Sequence, residues 1–171
     1  MSSPELSRMV ELRSVHGQML RIEASPAERT ALAGRFGIVA IHRLTADVQL
    51  DRHGPGAQVT GRLDANIVQA CAISGEDLAQ TLTEELNLRF IPATGTHRPD
   101  EEIELSEADC DEIEFSGGRF DVGEAVAQSL ALAIDPFATG PEADRARAEA
   151  GLLDEQAAGP FAALAKLKKG D

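Results

Sequence analysis

The sequence predicts an α+β fold for this chain of 171 residues: mostly antiparallel strands forming a twisted sheet or partly closed barrel, with packed helices and a C-terminal helical tail. Three observations predict it. Apolar and polar residues alternate along 44–50 and again along 59–67, on either side of the turn His53-Gly54-Pro55-Gly56. Two helix-start signatures, at Ser25 and Asp121, lie outside those stretches. Strands and helices do not alternate in the manner that builds a parallel sheet, and no internal repeat is present. The expected organisation is an α+β domain over 1–137 followed by a helical tail over 138–171.

Residues 6–15 and 19–23 read as extended, separated by His16-Gly17. Ser25 then caps a helix, Pro26 suits its first position, and Glu28 stands where a capping box needs it. Leu32 and Phe36, four apart, share its buried face, and Gly37 ends it. Leu44, Ala46, Val48 and Leu50 alternate with polar residues, whereas Val39 and Ile41 fall in the opposite phase. One extra residue, a bulge near His42-Arg43, reconciles the two phases. The return strand places Val59, Leu63, Ala65 and Ile67 on one face.

The stretch 77–91 fits two periods. Leu78, Leu82 and Leu86 suit a helix; Leu82, Leu86, Leu88 and Phe90 suit a strand, and the strand reading is preferred. A loop follows over 94–100. Residues 101–114 hold eight acids among fourteen positions, a solvated segment whose like charges repel, with Ile113 and Phe115 anchoring a short strand at its end. Asp121 caps the second helix, with Glu124 at the capping-box position. Val122, Val126, Leu130 and Ile134 line one face of it, and Asp135-Pro136 stops it. An Ala-rich helix near 142–150 and a last helix from Phe161 to about Lys168 complete the chain.

The formal net charge is −13, which by itself argues against a simple basic nucleic-acid binder. The charge is uneven, however. Residues 1–70 carry 8 Arg against 7 acids, residues 71–125 carry 3 Arg against 15, and residues 126–171 carry 5 bases against 7. The N-terminal part is therefore nearly neutral, and all its bases are arginines, whose forked guanidinium suits phosphate oxygens. No apolar run is long enough to span a bilayer, and no apolar signal segment follows Met1, so the expected location is the cytoplasm without membrane association. Trp and Tyr are absent, which limits base-stacking platforms.

Catalytic and metal chemistry find little support. His16, His42, His53 and His97 are scattered, and Cys71 and Cys110 form no close ligand pair. The run Asp109-Cys110-Asp111-Glu112 lacks calcium-loop spacing. There is no Gly-x-Ser-x-Gly elbow, and Cys71 reads as a core or strand-end residue. Ser116-Gly117-Gly118-Arg119 reads as a turn entering a helix, without the Lys and Ser/Thr of a phosphate loop. An anion is poorly suited to that helix start, because Asp121 and Glu124 already occupy it electrostatically. Neither an enzyme, a metal nor a cofactor is expected.

Two segments nevertheless resemble a known family. Val68-Gln69-Ala70-Cys71, Leu78 and the run Glu84 to Pro92 form one; Asp111 to Glu114, Phe120 to Glu124, Val126 to Leu132 and Asp135-Pro136-Phe137 form the other. Both resemble the YceD family, the large ribosomal RNA subunit accumulation proteins. The tail Pro160 to Lys168 is similar to the C-terminal box of the alphaproteobacterial branch. Many members carry further cysteines that this chain lacks, so no metal is carried over. Many also have Glu-Gln in the helix where this chain has Ala127-Gln128.

The resemblance implies a non-enzymatic role in accumulating or processing large-subunit rRNA, by binding the RNA or a pre-ribosomal particle. Arg43, Arg52 and Arg62 on the strands, with Lys166, Lys168 and Lys169 in the tail, are the candidate RNA contacts. The alternative is an acidic adaptor in which Glu101, Glu102 and Glu104 recruit a basic ribosomal protein or an RNA-processing enzyme.

Overall fold

The structure, a computed structural model, describes residues 4–93 and 111–151. Its strands are β1 (Met9–Glu11), β2 (Gln18–Glu23), β3 (Ala40–His53), β4 (Gly56–Ala70), β5 (Asp77–Pro92), β6 (Asp111–Phe115) and β7 (Arg119–Asp121). Its α-helices are α1 (Pro26–Phe36), α2 (Val122–Ala133) and α3 (Ala143–Glu149). A five-stranded sheet runs in the order β2-β3-β4-β5-β6, and β1 pairs with β7 in a separate two-stranded ribbon.

The α+β expectation holds, with two corrections. The sheet is not closed into a barrel, and it is mixed, because β6 lies parallel to β5 while the other pairs are antiparallel. The first extended stretch is also shorter than its sequence suggested. Only Met9–Glu11 pairs as strand, and Leu12–Ser14 is a turn of 3₁₀-helix. Ser7 and Arg8 instead spend their polar groups on the helix starts. The Arg8 N–H donates to Asp121 Oδ1 at 2.7 Å and the Ser7 hydroxyl to Asp121 Oδ2 at 2.6 Å.

The long hairpin matches its sequence pattern. His53 faces Gly56 across the turn, and the register shifts between Ile41 and Arg43, so His42 is the extra residue. The ambiguous stretch is the strand β5. Its Leu82, Leu86, Leu88 and Phe90 stand opposite Ala65, Gly61, Val59 and Ala57 of β4, on the face shared with Leu44, Ala46, Val48 and Leu50. That face is buried under Leu6, Leu32, Phe120, Val126 and Leu130. This period-two apolar surface beneath α1 and α2 is the sheet's buried contact with the rest of the chain.

Both helix starts are capped as expected. Ser25 and Glu28 form the reciprocal box, and Gly37 closes α1 at φ 66°. Asp121 accepts from the Glu124 N–H, but the return half of that box is not made. The Glu124 carboxylate instead takes two guanidinium N–H groups, one from Arg35 Nη2 at 2.8 Å and one from Arg35 Nη1 at 3.0 Å. Arg35 also reaches Glu5 at 2.9 Å, which ties the N-terminal segment and α1 to α2.

Glu28 carries a pH prediction. Its carboxylate accepts from Arg8 at 2.7 Å, and that bond, aided by the N–H and hydroxyl of Ser25, lowers its pKa from 4.5 to about 2. A carboxyl depressed in the folded state contributes stability that is present above about pH 4.5 and lost as pH falls toward 2. The unscreened linkage is ~3 kcal/mol, and partial exposure of both side chains reduces it to about 1 kcal/mol. Glu28→Gln therefore flattens the acid limb of the stability curve between those pH values. Urea midpoints measured at pH 2.5, 4.5 and 7 check this. Wild type and variant falling in parallel would refute it.

Candidate nucleic-acid interface

The face of the sheet away from the core carries polar residues from four adjacent strands. Met19, Gln49, Thr60 and Asn87 lie in one cross-strand row, and Arg21, Asp47, Arg62 and Glu85 in the next. Two of the expected RNA contacts, Arg43 and Arg62, sit on this face, and both are exposed. They do not form a basic patch. Arg62 binds Asp64 at 2.9 Å, and Arg21 binds Asp47 at 3.2 Å. Hydrogen bonds from Thr83 and then from Arg62 hold the Asp64 carboxyl below its usual range. Arg89 at the far side reaches Glu112 at 3.4 Å. Arg21, Arg62 and Arg89 are thus each paired with an acid, whereas Arg43 stands in a row with the neutral Asn66 and Thr81. Paired charges of this kind register a sheet while leaving little net field for a polyanion.

Arg52 is placed elsewhere. It ends β3 beside the hairpin turn and turns toward the N-terminal segment, where its Nη1 donates to the Leu12 carbonyl at 2.8 Å. There it lines a cleft of about 420 Å³ with Arg13 and Arg119. The cleft is built from three parts of the chain. The 3₁₀ turn after β1 supplies Leu12 and Arg13, the tip of β3 supplies Arg52, and the β6–β7 turn supplies Gly117, Gly118 and Arg119. The Leu12 N–H donates to the Gly118 carbonyl at 2.9 Å and locks the first part to the third. Gly117 and Gly118 both have positive φ, 71° and 72°, which a tight connection between β6 and β7 requires and which glycine alone meets without strain.

This corrects one reading. Ser116-Gly117-Gly118-Arg119 joins two strands, and α2 begins only after β7. Arg119 therefore faces Glu11 across the β1–β7 ribbon rather than a helix start. Among the described residues Glu11 is the one acid lining the cleft. Arg13 donates to it at 2.6 Å, and that bond, followed by the charge of Arg13 and more weakly of Arg119, lowers its pKa. Three guanidiniums against one carboxylate make the cleft positive in a chain of net charge −13.

Arg13 and Arg119 were missing from the sequence-based candidates. Nothing local marks them, because the three arginines are far apart in sequence and meet only through the ribbon and the hairpin. The glycine pair before Arg119 is the single local hint. Lys166, Lys168 and Lys169, and Glu101, Glu102 and Glu104, lie outside the described residues.

Cys71 is a strand-end residue, buried just after β4. Its Sγ accepts from the Ser74 N–H at 3.4 Å and the Gly140 N–H at 3.3 Å, fastening the turn after β4 to the segment after α2. Hydrogen bonds from Ser74 first, then from Gly140, pull the thiol down to about 6. Among the described residues no group of three or more His, Cys, Asp or Glu is arranged to hold a metal, and no helix is long and apolar enough to cross a membrane.

Comparison with known proteins places the chain in a family. The model described as large ribosomal RNA subunit accumulation protein YceD matches residues 59–168, more than half of the chain. No curated protein and no solved structure matches. The match takes in Arg119 and the glycine turn, whereas Arg13 and Arg52 precede it.

Proposed function

The chain belongs to the YceD family of large ribosomal RNA subunit accumulation proteins, and on that premise we propose that it is a non-enzymatic ribosome-biogenesis factor. It supports accumulation or processing of large-subunit rRNA in the cytoplasm by binding the RNA or a pre-ribosomal particle. The observation that supports direct contact is the cleft of Arg13, Arg52 and Arg119, a local positive surface on an acidic protein. Positive charge gathered in a concave site attracts a polyanion even when the whole molecule is negative, because salt screens distant charges over roughly 8–10 Å.

Affinity capture of the tagged full-length protein from its own cells, with and without RNase, tests the reading. Large-subunit rRNA is recovered, and co-captured ribosomal proteins are lost on RNase treatment. Retention of one basic ribosomal protein or RNA-processing enzyme after RNase, with no rRNA enrichment, overturns it in favour of an adaptor that works through Glu101, Glu102 and Glu104.

A further inference from the structure

The cleft has features that identify its ligand more closely. Its three arginines are all exposed. Arg119 donates no hydrogen bond among the described residues, and Arg52 commits only Nη1, to the Leu12 carbonyl. A guanidinium has five N–H donors, so both retain most of their donor capacity for an incoming acceptor. Opposite them, a Cβ added at Gly117 or Gly118 would meet nothing within 4 Å, so the glycine side of the cleft is open to a bulky group. Among the described residues no aromatic side chain lines the cleft, so it lacks the ring platforms on which single-stranded bases are usually held. Forked donors in an open site without aromatic rings suit the oxygens of a phosphate carried on a continuous backbone.

We infer that the cleft formed by Arg13, Arg52 and Arg119 binds the phosphodiester backbone of RNA without reading its sequence, and that Glu11 weakens this binding by occupying Arg13. This deepens the proposed function and rests on it. Glu11 is an internal anion in the same site. It holds Arg13 through a 2.6 Å contact and attracts Arg119, so a phosphate must compete with it for two of the three arginines. The site is consequently weaker than three free arginines would make it. Such moderation suits a factor that must leave its RNA as assembly proceeds.

The test measures binding of the full-length protein to large-subunit rRNA stripped of protein, across a salt series. Arg13→Ala with Arg119→Ala lowers affinity roughly tenfold, and the slope of log K against log salt becomes shallower by about 1 for each arginine lost. Arg13 and Arg119 are exposed, and circular dichroism confirms that the double variant is folded. Glu11→Gln keeps the shape, releases Arg13 and tightens binding severalfold. Arg43→Ala with Arg62→Ala, on the outer face, leaves affinity and slope almost unchanged.

If wild type binds rRNA and the cleft variants match it in affinity and slope, the cleft inference fails while the RNA-binding function stands. If wild type binds no rRNA at low salt, both fall. Two competitors separate other sources of the same chemistry. Displacement of the RNA by millimolar inorganic phosphate at constant ionic strength would reassign the cleft to free phosphate. Displacement by polyglutamate of equal charge would reassign it to an acidic protein segment. Either result overturns the inference.

Discussion

Gly61→Ala lowers the stability of the protein by about 3 kcal/mol or more, a large share of what a domain of this size has. Gly61 lies in the middle of β4, opposite Val48 of β3 and Leu86 of β5. A Cβ at this position would overlap the carbonyl oxygen of Asp47 and come within 2.7 Å of Val48 Cα. Both are backbone atoms in the centre of the sheet, so no side-chain rotation relieves the contact. The strands must separate there, and the ladder bonds around Asp47 and Val48 are strained or lost. Gly34 is the matched control. It lies in α1 with nothing within 4 Å of its added Cβ, so Gly34→Ala stabilises by about 0.5–1 kcal/mol through helix propensity and a less flexible unfolded chain. Thermal and urea unfolding of the two variants settle the matter. A Gly61→Ala protein as stable as wild type would mean that β3 and β4 are not so closely apposed.

Phe120→Ala costs about 3–5 kcal/mol and, on the proposed function, weakens RNA binding as well. Phe120 is buried, its ring 4.4 Å from that of Phe90 and 5.5 Å from that of Phe115. It comes from β7, Phe90 from β5 and Phe115 from β6, so this side chain is a main apolar contact of the β1–β7 ribbon with the five-stranded sheet, beside Val10 and Leu12. A two-stranded ribbon has little stability alone. With the ring gone, β1 and the Leu12–Ser14 turn lose their seat, and Arg13 and Arg119 no longer face Arg52. Affinity for rRNA should therefore fall even under conditions where the variant remains mostly folded by circular dichroism. Phe120→Leu separates the two effects. It refills much of the volume, recovers most of the stability, and restores binding in proportion. Wild-type affinity in a demonstrably folded Phe120→Ala protein would disconnect the ribbon from the interface.

Much of the fold was legible from sequence because its signals are local. The capping box at Ser25 and Glu28, the left-handed Gly37 and the Asp121 cap each concern neighbours within a turn, and each appears in the structure. The phase change between Ile41 and Leu44 was enough to locate the bulge, since a one-residue slip exchanges the two faces of a strand. The stretch from Asp77 to Pro92 was harder. Leu78, Leu82 and Leu86 satisfy a helical spacing as well as an alternating one, and only pairing with the whole of β4 selects the strand.

The candidate site was barely legible. Arg43, Arg52 and Arg62 read as one set because they share a hairpin, yet two lie on a face interleaved with acids and the third turns toward the cleft. Arg52 alone of the three joins Arg13 and Arg119.

The sequence by itself determined the starts of α1 and α2, the two strands of the long hairpin with their apolar faces and bulge, and the family to which the chain is similar. The elements follow from side-chain periodicity and from caps that act within a few residues, whereas the likeness to the family rests on the matching segments around Cys71 and Asp135-Pro136-Phe137. The tertiary structure alone decided that β6 runs parallel to β5, that the sheet stays open, and that three distant arginines share one cleft around Glu11. Those outcomes depend on how buried faces meet. Phe90, Phe115 and Phe120 come together because each removes apolar surface from water. The charges around them take the positions that this packing leaves.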